Sequence, residues 1–328
     1  MFELITLPKL YQDQKVPKLW GTNDLAPRKC PFCNTVGEEK YKRPDDLIVC
    51  YCNECSSYFI SPAPTQAKID EFYAHYTEGL GSDLRVSLAR YVLASVPDYD
   101  FRLTELSSIM DIRGKNVLDV GFGAGEAMIC FKKMGATVEG VNPDDAAISF
   151  AKNQLGLENV FRSTIEDFEP NHKYDVVWMS AVVEHPSDPL LMLKKAKQLL
   201  KPRGVLAITT PNVSFASHQL QPEIFRDSFD HMQYLSFATC AYIANRISLR
   251  LIHLEGYGIF PVNRGQMNRT DRVLTSLREN HYLYPLHNYA LALVWKLPIL
   301  GKHGWVIREQ NRCAGQGLLF CILQKNLQ

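Results

Sequence analysis

Between residues 113 and 260, short unbroken apolar runs alternate with segments of helical period. Runs 116–120, 137–141, 160–162, 174–179 and 205–210 are closed by turn signals and read as strands. Segments 126–134, 146–154 and 189–200 between them read as helices. Gly135 stops the first, Asn142-Pro143-Asp144-Asp145 opens the second with Asp144 near its N-cap, and Lys201-Pro202-Arg203-Gly204 ends the third. Such alternation with short connections predicts an α/β fold, a parallel sheet with helices on both faces. A helix over 237–247, a sixth strand over 249–254 and a last strand over 318–323 complete this region.

Upstream, 66–76 reads as a short helix with Thr65 as N-cap and Ile69, Phe72, Tyr73 and Tyr76 on one face. Segments 85–96 and 101–112 are helical in pattern and separated by Pro97-Asp98. The pattern thus predicts a small module over 1–65, a helical lead over 66–112 and a main domain over 113–328, interrupted by an insertion at about 259–316. Within the insertion, 269–279 is one segment and the apolar run 289–300, with Trp295, is another. That run of about 12 residues is too short to cross a bilayer and is expected to pack on the core.

The first strand leads into a glycine loop. Val117-Leu118-Asp119-Val120 is followed by glycine at 121, 123 and 125. Loops of this kind bring backbone N–H groups close to a ligand because no side chain intervenes. A dinucleotide fingerprint would place its third glycine at 126, which is Glu126. The spacing is instead D-x-G-x-G-x-G. In an open α/β sheet, ligands bind beyond the carboxyl ends of the strands. Asn142, the turn 163–167, Ser180 with Glu184 and His185, and Thr210-Pro211-Asn212 all fall there.

Composition narrows the classes. The 328 residues are 46% hydrophobic, enough for a full core, and a formal net charge of +1 gives no global field for nucleic acid. No window of 18 or more uncharged apolar residues is present, so no transmembrane span is expected. Residues 1–20 carry Glu, Asp and Lys among their apolar positions and do not read as an export signal, so a cytoplasmic location is expected. Of nine cysteines, five lie between 30 and 55, which points to a metal site in a reducing compartment rather than a disulfide framework. Cys30-Pro31-Phe32-Cys33 and Cys52-Asn53-Glu54-Cys55, with 18 residues between them, have zinc-ribbon spacing. Cys30, Cys33, Cys52 and Cys55 are the expected ligands of a structural Zn²⁺, with Cys50 as an alternative to Cys52. Four thiolates close the coordination sphere, so such an ion would supply folding energy and not catalysis.

The glycine loop resembles motif I of the class I S-adenosylmethionine (SAM) methyltransferases. A zinc ribbon, the linker Ser61-Pro62-Ala63-Pro64 and the helix containing Asp70-Glu71-Phe72-Tyr73 together resemble a bacterial family of zinc-ribbon methyltransferases, of the methyltransferase-23 type, whose relatives include small-molecule and sugar-modifying enzymes. The resemblance covers roughly residues 30–258 plus the last strand. It implies a Rossmann-like seven-stranded sheet whose last strand is antiparallel and inserted between five and six. It also implies SAM bound along Asp119, Gly121, Gly123, Gly125, Asn142, Asp167 and Ser180. Most members carry Asp or Glu where this chain has Asn142, which can exchange hydrogen bonds with ribose hydroxyls but lacks the charge. A turn-starting role before Pro143 is the plainer alternative for Asn142. Asp167 would bond the adenine amino group or be a solvated turn residue. Glu184-His185 matches a pair frequent in small-molecule O-methyltransferases, and His185 would act as the general base. His231 is the alternative base or a lining residue. The plainer alternatives are an orienting pair, in which Glu184 holds His185 or caps the next helix, and for His231 a loop histidine that caps a helix. Some sugar C-methyltransferases place a tyrosine where this chain has Val182, which counts against carbon as the acceptor. Tyr73, Tyr76 and Arg90 are further candidates to reach a ligand. The expected function is methyl transfer to a small-molecule or glycan acceptor, at a hydroxyl oxygen. An RNA methyltransferase gripping nucleic acid with its ribbon, and a non-catalytic SAM-fold binding protein, are the alternatives.

Overall fold

A computed structural model of the chain describes residues 19–76, 101–214, 225, 229–257 and 318–327. Helix 85–96 with Arg90, and the insertion with its segments 269–279 and 289–300, lie outside the described residues. The N-terminal module pairs β1 (Leu25–Ala26) with β5 (Ala63–Pro64). Between them, β2 (Glu38–Lys42), β3 (Ile48–Tyr51) and β4 (Tyr58–Ile60) form an antiparallel sheet. Helix α1 (Gln66–Ala74) follows, with Thr65 at the N-cap but no side-chain capping bond.

The main domain opens with α2 (Phe101–Ile109) and continues β6 (Asn116–Val120), α3 (Glu126–Lys133), β7 (Thr137–Asn142), α4 (Asp145–Leu155), β8 (Val160–Arg162) and β9 (Tyr174–Ser180). Then come α5 (Pro189–Leu199), β10 (Leu200–Pro211), β11 (Gln233–Tyr234), α6 (Phe237–Arg246), β12 (Arg250–Tyr257) and β13 (Leu318–Gln324). Seven of these strands form one sheet in the order β12-β13-β10-β9-β6-β7-β8. Strands β8, β7, β6, β9 and β10 run parallel, and β13 is antiparallel to both β10 and β12. The order is the one the resemblance implies, with the last strand between the fifth and sixth.

Unbroken apolar runs become central strands because both faces of the sheet are covered. Side chains still alternate between the faces. Val177 and Met179 pack with Leu193, Ala196 and Ile243 of α5 and α6, whereas Val176 and Trp178 pack with Leu106, Phe131 and Ala151 of α2, α3 and α4. The helix ends follow their signals: Asp144 Oδ1 accepts from the Ala146 N–H at 2.9 Å, and Asp188 Oδ1 from the Leu191 N–H at 3.0 Å. One boundary differs from expectation. β10 begins at Leu200, the last residue of the expected helix, and runs through the expected turn, because Leu200 pairs with Tyr174 of β9 and the chain rejoins β9 after a register shift between Leu200 and Val205, with Arg203 at φ +61°.

The sequence pattern gives no hint that the ribbon sheet continues into the main domain. β11 pairs antiparallel with β4, making a four-stranded sheet shared by both parts of the chain. Arg43, fully buried, pairs with Asp45 and donates to the carbonyls of His231 at 2.9 Å and Phe229 at 2.7 Å. Arg28 donates to the carbonyls of Ile60 at 2.8 Å and Ser187 at 3.0 Å, and also to that of Met232. Thr239 Oγ1, at the start of α6, donates to the Cys55 carbonyl at 2.9 Å.

Candidate active site

The strand order reverses between β6 and β9, and a cavity of about 910 Å³ opens beyond the carboxyl ends there. The glycine loop forms one wall. Gly121 sits at φ +64°, and a Cβ there would meet Val182 Cγ2 at 2.8 Å. Gly123 sits at φ +55° with nothing within 4 Å of the place a Cβ would occupy, so the loop backbone is left open toward the cavity. Gly125, also left-handed, is the N-cap of α3.

Asp119 ends up 2% exposed at the base of this loop, and its Oδ2 is buried with no hydrogen-bond partner among the described residues. Burial pushes its carboxyl well above the usual range, Glu126 adds to this, and Arg102 opposes it. Arg102 lines the same cavity from α2. Its guanidinium donates to Ser180 Oγ at 2.8 Å and Thr209 Oγ1 at 3.3 Å, and lies 5.3 Å from the centre of the Trp178 ring. Sequence reasoning missed Arg102, since a lone arginine in a helical lead carries no motif.

At the end of β7, Asn142 lines the cavity, and its Oδ1 accepts from the Asp144 N–H at 2.9 Å. The side chain thus closes a turn as well as facing the site. The turn after β8 needs a correction. Asp167 is exposed, accepts from Thr164 Oγ1 at 3.0 Å and is not part of the cavity wall; residues 163–166 form that wall, and Glu166 is its acidic member. A one-residue shift in a short acidic turn is invisible without the backbone path.

His185 and His231 are brought together with their rings 4.9 Å apart, but only His185 lines the cavity. His185 Nδ1 lies 2.6 Å from the Tyr73 hydroxyl and 3.3 Å from the Asp230 carbonyl oxygen. The Tyr73 hydroxyl in turn donates to Asp230 Oδ2 at 2.9 Å. His231 lies behind, and burial pushes it down to about 3, so it is neutral. Glu184 is fully buried behind it, with Oε1 4.0 Å from His231 Nε2 and neither carboxylate oxygen hydrogen-bonded among the described residues. Burial raises Glu184 above the usual carboxylate range. Neither alternative role suggested for Glu184 is seen: Tyr73 holds His185, and Asp188 caps α5. Tyr76 also lines the cavity.

In the ribbon, Sγ of Cys30 lies 3.5 Å from that of Cys55, and Sγ of Cys33 lies 3.2 Å from that of Cys52. All four sulfurs lie within 4.8 Å of one another. A tetrahedral zinc thiolate site with bonds of about 2.3 Å places its sulfurs about 3.8 Å apart, so the donor set suits that ion. Cys50 is buried outside this group.

Strand order and cavity together define a class I methyltransferase fold. Residues 89–254, half of the chain, match the family model Methyltransf_23, a methyltransferase domain, and the chain belongs to that family. Among curated relatives, a ubiquinone biosynthesis O-methyltransferase of Haemophilus ducreyi is 36% identical over 118 residues, covering 33% of this chain and 50% of the relative. One of the same name from Coxiella burnetii is 27% identical over 177 residues, covering 49% and 74%. The chain spans about half the length of the relatives it matches at higher identity. A solved SAM-dependent methyltransferase from Archaeoglobus fulgidus is similar at 18% identity and a TM-score of 0.41, covering 69% of this chain and 93% of that one. Among the described residues, no helix is long and apolar enough to cross a membrane.

Proposed function

We propose that this chain transfers a methyl group from SAM to a hydroxyl oxygen of a small-molecule or glycan acceptor, with His185 as the general base. One observation carries the reading. A single cavity is lined by Arg102, by the carboxyl group of Asp119 and by His185, an arginine and a carboxyl that suit an amino-acid group beside a histidine. Arg102 would hold the carboxylate and the unpartnered Asp119 Oδ2 the ammonium. Asn142 would meet the ribose, and residues 163–166 the adenine. SAM supplies a methyl group on a sulfonium, which an aligned oxygen nucleophile can attack. His185 Nε2 is the group placed to take the hydroxyl proton. His231, neutral, and Glu184 lie behind the histidine and do not face the cavity. The relatives' name, with its O-methyltransferase, supports oxygen as the acceptor atom. The four ribbon cysteines would hold a structural Zn²⁺ with no catalytic part.

The test is calorimetry with SAM, followed by methyl transfer from labelled SAM to catechol, nucleotide-sugars, glycans and lipid-linked sugars. Binding, transfer to at least one hydroxyl, and a roughly 10²–10⁴-fold fall in kcat for His185→Ala are expected. Absence of SAM binding, or equal turnover by His185→Ala, would overturn the reading.

A further inference from the structure

We infer that Tyr73 and Asp230 form a hydrogen-bond relay that fixes His185 in the tautomer with its proton on Nδ1, leaving the Nε2 lone pair directed to the acceptor. The inference rests on His185 being the base, and it adds two positioning residues 157 positions apart in the chain.

Proton counting on the Tyr73 hydroxyl gives the direction. That oxygen lies 2.9 Å from Asp230 Oδ2 and 2.6 Å from His185 Nδ1, and it has one hydrogen to give. An ionised carboxylate only accepts. Burial works against the Asp230 charge, but the nearby His185 and the hydrogen bond from the Tyr73 hydroxyl oppose it, and Asp230 lies below its ordinary value. Burial, with Asp230 beside it, keeps Tyr73 protonated by raising it well above its ordinary value. Tyr73 therefore gives its hydrogen to Asp230, and its oxygen lone pair faces Nδ1. Were the hydrogen given to Nδ1 instead, the hydroxyl and carboxylate oxygens would meet at 2.9 Å with no proton between them.

A second acceptor agrees with this assignment. The Asp230 carbonyl oxygen lies 3.3 Å from the same Nδ1, and a carbonyl cannot donate. Two acceptors converge on Nδ1, so Nδ1 carries the proton. Among the described residues, Nε2 of His185 has no hydrogen-bond partner, and His185 lines the cavity.

The relay also accounts for charge during transfer. Nε2 takes the acceptor's hydroxyl proton as the O–CH₃ bond forms and the C–S bond breaks, leaving neutral S-adenosylhomocysteine. The resulting imidazolium has Asp230 Oδ2 at 3.6 Å from Nδ1 to stabilise it. Buried partners of this kind fix ring orientation and raise basicity, as the carboxylate does in a serine-protease triad. Here a tyrosine stands between histidine and carboxylate, and it comes from α1, outside the sheet domain.

The test uses the full chain with ¹⁵N-labelled histidine, His185 being assigned by the signal lost in His185→Gln. Neutral wild-type His185 should show a protonated Nδ1 and a bare Nε2. In Tyr73→Phe and Asp230→Asn the signal should move toward a tautomer mixture. Turnover of catechol, or of whichever hydroxyl acceptor passes the screen, should fall roughly 10–100-fold with SAM affinity unchanged. Wild-type His185 carrying its neutral proton on Nε2 would overturn the relay, and so would variants that keep the wild-type tautomer and turnover. The wild-type spectrum decides the matter even if a variant fails to fold. A bare Nε2 in a chain that transfers no methyl group upholds the relay and overturns the proposed function instead.

Discussion

Two buried ionisable residues near the site carry opposite consequences for stability. Asp119 is held well above the usual carboxylate range by burial, whereas an unfolded chain ionises it near about 3.9. Above that pH the unfolded state gains by losing its proton and the folded state gains less, so the residue costs stability as pH rises. Asp119→Asn is therefore expected to raise Tm at pH 7 while lowering SAM affinity by roughly 10–100-fold through the lost charged contact. Melting curves and calorimetry on the same samples check both signs. SAM affinity within threefold of wild type would remove Asp119 from the binding site. For His231, burial depresses the folded value to about 3. Between there and about 6.5 the unfolded chain binds a proton that the folded chain refuses, so stability falls as pH falls through that window. At pH 5 the loss is about 2 kcal/mol. Urea unfolding at pH 7 and pH 5 should show His231→Gln losing less stability on acidification than wild type by about that amount, and equal losses would contradict a buried neutral His231.

At the scale of elements, legibility followed locality. The strands β6, β7 and β9 and the helices between them were legible because each signal lies in a few adjacent residues: an apolar run, a capping Asp144, a stopping Gly135. The glycine loop was legible for the same reason. The expected antiparallel β13 came from the family resemblance and not from local pattern. What escaped was what depends on distant pairing. β11 is two residues long, Gln233 and Tyr234, and becomes a strand only because β4 offers it an edge. Arg102 reads as an ordinary helical arginine until α2 lays it beside Ser180 and Trp178. Tyr73 was legible as a candidate, but its partnership with Asp230 spans 157 positions, and no spacing rule reaches that far. Asp167 was misplaced because a turn of five residues has no period to say which side chain faces in.

The whole molecule ties the four-cysteine ribbon to the loop before β11. β11, Arg28 and Arg43 fasten residues 229–234 to the ribbon, and that stretch carries Asp230 and His231. Cys30, Cys52 and Cys55 share one apolar core with Leu235, Cys240 and Ile243 of the main domain. Loss of a Zn²⁺ held there, as proposed, would leave four crowded thiols inside a common core, and the damage would not stay local. Chelation, or Cys33→Ser with Cys52→Ser, should lower Tm by about 6 °C, as a loss of about 4 kcal/mol does in a chain of this size. Calorimetry should show one transition before and after, because the shared sheet couples the two parts. The Asp119 and Arg102 sites lie on the glycine loop and α2, away from that stretch, so SAM affinity at temperatures below the transition should change little while turnover falls. A separate low-temperature transition, with the main transition and turnover both unmoved, would show the ribbon to be an independent module and would sever it from the site.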